Sequence, residues 1–472
     1  MLMTENNLNY TKEQILESSD SRLINKDLAP TSKEQRTWGT YNYTALWIGM
    51  AHCIPTYMLA SGLIAAGMNW KQALFTVLLG NLIVLVPMLL NSYAGTKYGL
   101  PFPVLCRSSF GVLGSNIPAI LRAIVACGWF GIQTWIGGQA LNILLSSAFP
   151  SWAHFTVGPW VSFFAFWYLN MLIIVKGMSS VRYFEGWAAP FVLFATIGLL
   201  IWVVMKAHGF GPILSSPGKL NHFHDFFKVF VPSLTSIIGY WSTLSLNMPD
   251  FTRYSKGQEE QILGQILGLP TTMTFFAGLG VMITSATVVI YGKPIWNPIQ
   301  LLSKFHNPFV ILFSLFSIAV ATLSVNVAAN VVSPSFDFSN LSPRKISFVA
   351  GGMITGTVGI FMMPWKLMSS YGTYIFGWLV GYSGVLGPVA GILIADFWVV
   401  RKRVLNVPDL YQMDGEYRYQ KGFHIKGILA LSLGIIGAFI GLLIPPLHFL
   451  YDYAWFVGFG ISFMAYIILA RK

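Results

Sequence analysis

Apolar residues in this chain come in runs of about 20, separated by short stretches rich in Gly, Pro, Asn and charged side chains. A helix rises about 1.5 Å per residue, so a run of about 20 covers the roughly 30 Å hydrocarbon core of a bilayer. Twelve such runs are predicted, at 42–68, 70–94, 115–148, 155–176, 183–206, 226–255, 265–292, 306–334, 344–363, 370–402, 423–446 and 447–470, numbered here as spans 1 to 12. Spans 3 and 10 are longer than a bilayer needs, which predicts tilt or extension into the cytoplasm. Between spans 2 and 3, the stretch from Lys97 to Gly114 contains Gly99-Leu100-Pro101-Phe102-Pro103 and is too short and broken to cross.

Two spans carry helix-weakening residues at mid-depth. Span 1 reads Trp47-Ile48-Gly49-Met50-Ala51-His52-Cys53-Ile54-Pro55-Thr56-Tyr57, and span 6 reads Ile237-Ile238-Gly239-Tyr240-Trp241-Ser242. A bilayer interior offers no water to a broken backbone, so such a break survives only if it is buried in protein or lines a cavity. Discontinuous helices at the midplane are how many membrane carriers build solute and ion sites. Span 6 comes five spans after span 1, an odd number, so the two run in opposite directions. The expected fold is therefore an all-α polytopic membrane protein of 12 transmembrane helices, with a five-plus-five inverted repeat and broken helices 1 and 6. The repeats are expected at 42–206 and 226–402, with helices 11 and 12 added at 423–470. All lie in a transporter domain of residues 41–470 that follows a polar tail, residues 1–40.

Composition supports the membrane reading. The 472 residues are 55% hydrophobic and only 10% charged, against about 25% charged in soluble domains. The net charge of +12 does not point to nucleic acid, because no span carries a basic stripe. Placing both termini inside puts 21 of the 29 Lys and Arg residues on the cytoplasmic side and 7 outside. That asymmetry predicts a multi-pass protein of the cell membrane with both termini cytoplasmic. The tail mixes acids and bases without an apolar region and cleavage site, so it reads as a partly disordered cytoplasmic segment. Cys53, Cys106 and Cys127 lack the spacing of a disulfide framework or a zinc site. Nucleophile-elbow, zinc-protease, phosphate-loop and dinucleotide motifs are missing, so no phosphate-driven step and no enzyme is expected.

Within the spans, Trp129 and Gln133 lie one helical turn apart and share a face. An aromatic plate one turn from an amide suits a flat polar heterocycle, and it equally suits an interfacial ring beside a helix–helix contact. Asn326 and Asn330 repeat the spacing in span 8, where they line a cavity or hydrogen-bond between helices. Mid-span His52 has three open readings: proton carrier, packing residue, or donor of a backbone carbonyl at the break. Acidic residues Glu185, Asp250 and Asp396 fall near span ends, so no acid is expected at mid-membrane. Asp250 with Arg253, and Asp396 with Arg401, are candidate gating pairs or interfacial anchors. Small-residue pairs at Gly352 and Gly356, Gly377 and Gly381, and Gly387 and Gly391 fit close helix packing.

Together these residues resemble nucleobase–cation symport family one over nearly the whole chain, most closely the branch of bacterial allantoin permeases. The resemblance rests on Trp47 to Tyr57, Lys97 to Arg107, Trp129 to Trp135, Asn247 to Arg253, Asn326 to Pro334 and Leu386 to Asp396. It implies secondary transport of allantoin or a related neutral ureide or hydantoin by cation symport, without cofactor. Uracil, cytosine or another nucleobase is the alternative solute. An uncoupled uniporter and an intramembrane enzyme are the alternatives of another class. The resemblance implies a ring held between Trp129 and Trp241, with Gln133 and Asn330 reading its amide edges and the backbone beside Tyr240 contributing. Cys53 stands where relatives offer an amide. The implied cation site takes carbonyls of Gly49, His52 and Ala321 and the hydroxyl of Ser324. Val325 replaces a second hydroxyl, which leaves Na⁺ and H⁺ both open as the coupling ion. The expected partners are a small neutral heterocycle, the cation and membrane lipid.

Overall fold

The computed structural model describes residues 12–176, 194, 197–215, 217–302, 304 and 308–470. Each predicted span has a helical counterpart among them, and no strand is present among them. Among the described residues, seven helices are long and apolar enough to cross a bilayer alone, and two further pairs bent at a break bring that to nine. Spans 5, 6 and 9 are the shorter ones: Ile197–Lys206, Phe223–Tyr240 followed by Ser242–Asn247, and Phe348–Phe361. The first part of span 5, with Glu185, lies outside the described residues.

Local chemistry sets the helix ends. Asn69 opens span 2, its side chain accepting the Gln72 amide at 2.9 Å while the Gln72 side chain accepts the Asn69 amide at 2.9 Å. The same helix stops at Gly99, whose φ of 71° is open to glycine at little cost. The stretch read as too short to cross forms a buried helix, Phe102–Phe110.

Span 1 is broken where the sequence indicates. Thr40–Ala51 and Ile54–Ala65 meet at 61° across His52 and Cys53, and Pro55 sits in the first turn of the second half, where its missing N–H costs nothing. Span 6 breaks at Trp241, between Phe223–Tyr240 and Ser242–Asn247. Gly239 is required there: a Cβ would come within 2.5 Å of the Leu379 carbonyl in span 10. Gly264 and Gly268 let span 7 close onto Tyr43 and Trp47 of span 1. Of the small-residue pairs, Gly352 and Gly356 receive Ile174 and Met171 of span 4, and Gly387 and Gly391 receive Trp455 and Phe459 of span 12. Gly377 faces open space instead. Large apolar side chains such as Phe75, Leu82 and Val86 point outward from the bundle, as lipid requires.

Within the tail Lys12–Ser18 is helical, and Ile15, Leu23, Leu28 and Ala29 are buried against Tyr98, Leu100, Leu410 and Tyr411. Its polar composition hides a few well-placed apolar residues, which suffice once those residues provide a surface. Two expectations are corrected. Span 8 does not end at 334; after a break at Val331 it continues as Val332–Leu341. Pro334 is tolerated in that new first turn, and the continuation carries Asp337 into the protein interior. Span 12 begins later than expected, because Pro445–Asp452 lies at 86° to Ala454–Ala470.

Candidate functional site

The two breaks face each other. Cys53, at the break in span 1, has its sulfur 3.3 Å from the Tyr240 hydroxyl and 3.4 Å from that of Thr56. Thr56 and Tyr240 share a hydrogen bond of 3.0 Å. A thiol and two hydroxyls thus join the second half of span 1 to the last residue before the span 6 break.

Around them is an aromatic cage. Trp129 of span 3 meets Tyr240 edge to face at 5.0 Å between ring centres, and Trp241 meets Tyr240 at 4.8 Å. The phenol therefore takes up space against both indoles. Trp241 also rests at 5.1 Å on Trp47, which is fully buried. The Trp129 Nε1 donates to the Tyr382 hydroxyl of span 10 at 3.2 Å. Tyr374, also in span 10, donates to the Pro55 carbonyl at 3.3 Å. Span 10 is overwound less tightly at both ends, with π-helical turns at Thr373–Leu379 and Ala395–Val400, a local geometry common at functional sites.

Gln133 lies one turn from Trp129 and is buried, and its Oε1 has no hydrogen-bond partner among the described residues. An orphaned buried carbonyl is costly unless something else supplies a donor. The Trp241 indole nitrogen is likewise unpartnered and buried. The two asparagines of span 8 divide in role. Asn326 is fully buried and donates toward the Phe130 carbonyl, the Thr134 hydroxyl and the Asn170 side chain. That is interhelical packing, not the lining of a cavity. Asn330 donates to Asn326 at 3.0 Å and is the more exposed of the two.

Gly49 lies in Thr40–Ala51 with His52 just after it, Ala321 lies in Pro308–Asn330, and these two helices touch. The Cys53 amide donates to the Ala51 carbonyl at 3.0 Å, not to Gly49 four residues back, so the Gly49 carbonyl leaves the helical ladder. Space beside Gly49 is open. The His52 ring stacks on Phe276 of span 7, at 4.2 Å and 10°. Ser324 lies on the helix Pro308–Asn330, but its side chain falls outside the described residues. A cavity of about 620 Å³, measured with the space at its mouth, is bounded by His52, Cys53, Tyr57, Phe276, Ser314 and Ser317. It meets the aromatic cage only at Cys53.

Sequence reasoning missed Asp337, which forms an ion pair with Arg122 at 3.2 Å, both groups buried. Its position beyond Pro334 hid it. Of the two candidate gating pairs, Asp396 and Arg401 are paired at 3.0 Å, with Ser108, Ser109 and Tyr466 completing the hydrogen bonds of the carboxylate. Asp250 and Arg253 are not paired; Asp250 accepts the Phe102 amide at 2.8 Å. Thr56, Trp47, Tyr374 and Tyr382 were missed as well, since only the packing of distant spans brings them to the cage.

Comparison with known proteins places this geometry. Residues 30–458 match the family model of permeases for cytosine/purines, uracil, thiamine and allantoin. The chain is 45% identical to the allantoin permease of Bacillus subtilis, over 96% of this chain and 94% of that one. It is 42% identical to a purine-uracil permease of Arabidopsis thaliana, over 96% of this chain and 78% of that one. Among solved structures it is similar to Mhp1, a nucleobase-cation-symport-1 family transporter in a closed conformation with bromovinylhydantoin bound. That likeness has a TM-score of 0.80 and 25% identity, covering 95% of each chain. With two broken spans meeting at a buried aromatic cage and a match across almost its full length, this chain belongs to the cytosine/purine, uracil, thiamine and allantoin permease family.

Proposed function

We propose that this protein imports allantoin, or a closely related neutral ureide or hydantoin, by cation symport across the cell membrane, with both termini cytoplasmic. The observation that carries the reading is the unpartnered Gln133 carbonyl one turn from Trp129, inside an aromatic cage. Such a site asks for a flat solute that brings N–H donors, and a ureide ring has them. The similarity to the Bacillus allantoin permease points the same way.

In this reading the ring stacks between Trp129 and Trp241, displacing the Tyr240 phenol that now lies against both. Gln133 accepts an N–H of the solute, and Asn330 turns from Asn326 to read a second edge. Cys53 and Thr56, which hold the Tyr240 hydroxyl in this structure, lose that bond when the ring enters and are free to meet the solute. The coupling cation binds at the span 1 break through carbonyls of Gly49, His52 and Ala321 and the Ser324 hydroxyl, and favours the state in which the solute site is formed. Val325 contributes no oxygen, so a hard ion there completes its shell with water. The chemistry is translocation of an unmodified solute, not catalysis.

A second reading, uracil or a purine as the solute, is favoured by the 42% identity to the Arabidopsis purine-uracil permease. Uptake of labelled allantoin into cells expressing this chain separates the two. Excess unlabelled allantoin or hydantoin should block it while uracil, cytosine and adenine do not. Block by uracil alone, or no saturable uptake from protein shown to be in the membrane, overturns the ureide assignment.

A further inference from the structure

Asp250 stands apart from every other buried acid among the described residues. It lies in the turn Pro249–Thr252 that follows span 6, and it is buried. One carboxyl oxygen accepts the Phe102 amide at 2.8 Å; the other has no hydrogen bond of normal geometry, with the Ser333 hydroxyl of span 8 as its neighbour. No ion pair within 4.0 Å reaches it among the described residues. Asp337 and Asp396, by contrast, are each paired with an arginine.

The charged and titratable groups facing Asp250 are accounted for. Arg122 of span 3 is engaged by Asp337 of span 8. Arg253 donates instead to the Asp27 carbonyl and the Tyr254 hydroxyl, with its guanidinium over the rings of Tyr254 and Phe336. On the helix Phe102–Phe110, Cys106 is within electrostatic range, while Arg107 is taken by the Leu23 and Leu410 carbonyls and Asn340. Asp250 thus has charges at a distance and no direct counter-ion. A carboxylate held this way is costly as an anion, because burial removes its water and one amide with a neighbouring hydroxyl replaces only part of it.

A cavity lies beside it, though Asp250 is not part of its wall. It measures about 360 Å³ with the space at its mouth and is lined by Asn91, Phe102, Ser108, Ser109 and Pro249. Phe102 is the residue whose amide binds the carboxyl, and Pro249 is its chain neighbour. We propose that Asp250 binds the coupling proton: it holds it as the neutral acid while the cytoplasmic mouth is closed, and its O–H bond breaks to give the proton to water in this cavity when the mouth opens. This rests on the symport reading above and departs from it at one point: the coupling ion is a proton carried by Asp250 and released into this cavity, so the span 1 break is not the site of the ion that drives uptake.

The test uses purified full-length protein in proteoliposomes with labelled allantoin. For the wild type, an inward proton gradient should drive accumulation, up to about tenfold per pH unit for one proton per solute. Asp250→Asn should keep measurable counterflow, which needs no net proton movement, yet lose accumulation; Asp250→Glu should recover part of it. Proton-driven accumulation by Asp250→Asn at the wild-type level overturns the proposal. So does a wild type that accumulates solute on a sodium gradient and ignores a proton gradient. Absence of all allantoin counterflow in the wild type would count against the ureide reading alone. The decisive readout is then the carbonyl stretch of a protonated carboxylic acid in infrared spectra near neutral pH. It should be present in the wild type and lost in Asp250→Asn; a wild type without that band refutes the assignment whatever the solute and whether or not the variant folds.

Discussion

The Trp129 indole nitrogen donates to the Tyr382 hydroxyl, and that single bond ties span 3 to span 10 across the aromatic cage. Tyr382→Phe removes the acceptor and leaves a buried donor unmade, at a cost of about 1–3 kcal/mol. If the solute stacks on Trp129 as proposed, the bond fixes the stacking face, and the expected result is a rise in uptake KM with a smaller change in maximal rate. Initial-rate uptake measures both; an unchanged KM would show that the bond is only structural.

Removing either indole tests the stacking itself. Trp129→Ala and Trp241→Ala should each weaken solute binding by about 1–3 kcal/mol, or about 5- to 150-fold, by analogy with bases stacked on aromatic side chains. Trp241→Ala should show a second effect, loosening Trp47, which it touches at 5.1 Å. Equilibrium binding on purified protein reads the first effect and thermal unfolding reads the second.

Gln133 is expected to act through its carbonyl. Gln133→Leu relieves an orphaned acceptor, so it should leave stability unchanged or raised while lowering solute affinity about tenfold or more. Stability and affinity falling together would instead mark Gln133 as a packing residue. Competition by solutes lacking ring N–H groups should be indifferent to the substitution.

The Arg122–Asp337 pair is a stability element at the inner end of spans 3 and 8. Arg122→Met leaves a buried carboxylate alone and should cost about 3–5 kcal/mol, whereas the double variant Arg122→Met with Asp337→Leu should recover most of that loss. Thermal unfolding of the single and double variants gives the coupling directly. Simple additivity would mean the two side chains do not depend on each other.

What could be read from the sequence follows physical rules. The breaks in spans 1 and 6 were legible because Gly49, Pro55 and Gly239 weaken a helix at a depth where lipid punishes open backbone. Trp129 and Gln133 were legible because a turn of helix fixes their common face. Thr56, Trp47 and Tyr382 were not, since their place in the cage depends on which faces of remote helices meet, and no periodicity within one span encodes that. Asp337 was lost for a different reason. Ser333-Pro334-Ser335 reads as an ending, but a proline in the first turn of a new helix is permitted, and the chain uses it to continue. The asparagine pair shows the converse: one spacing, yet Asn326 is consumed by packing and Asn330 stands at its edge.

The seating of the N-terminal tail has a consequence for how the molecule is made. The Leu28 carbonyl accepts the Tyr411 hydroxyl, a contact between residues 383 positions apart. Leu23 and Leu28 therefore leave the ribosome long before the loop that buries them has been synthesised. Through most of translation this face of the bundle must stay open, and it can close only after span 10 has been made. A nascent chain stalled before residue 411 would leave Leu23 and Leu28 without part of the surface that buries them.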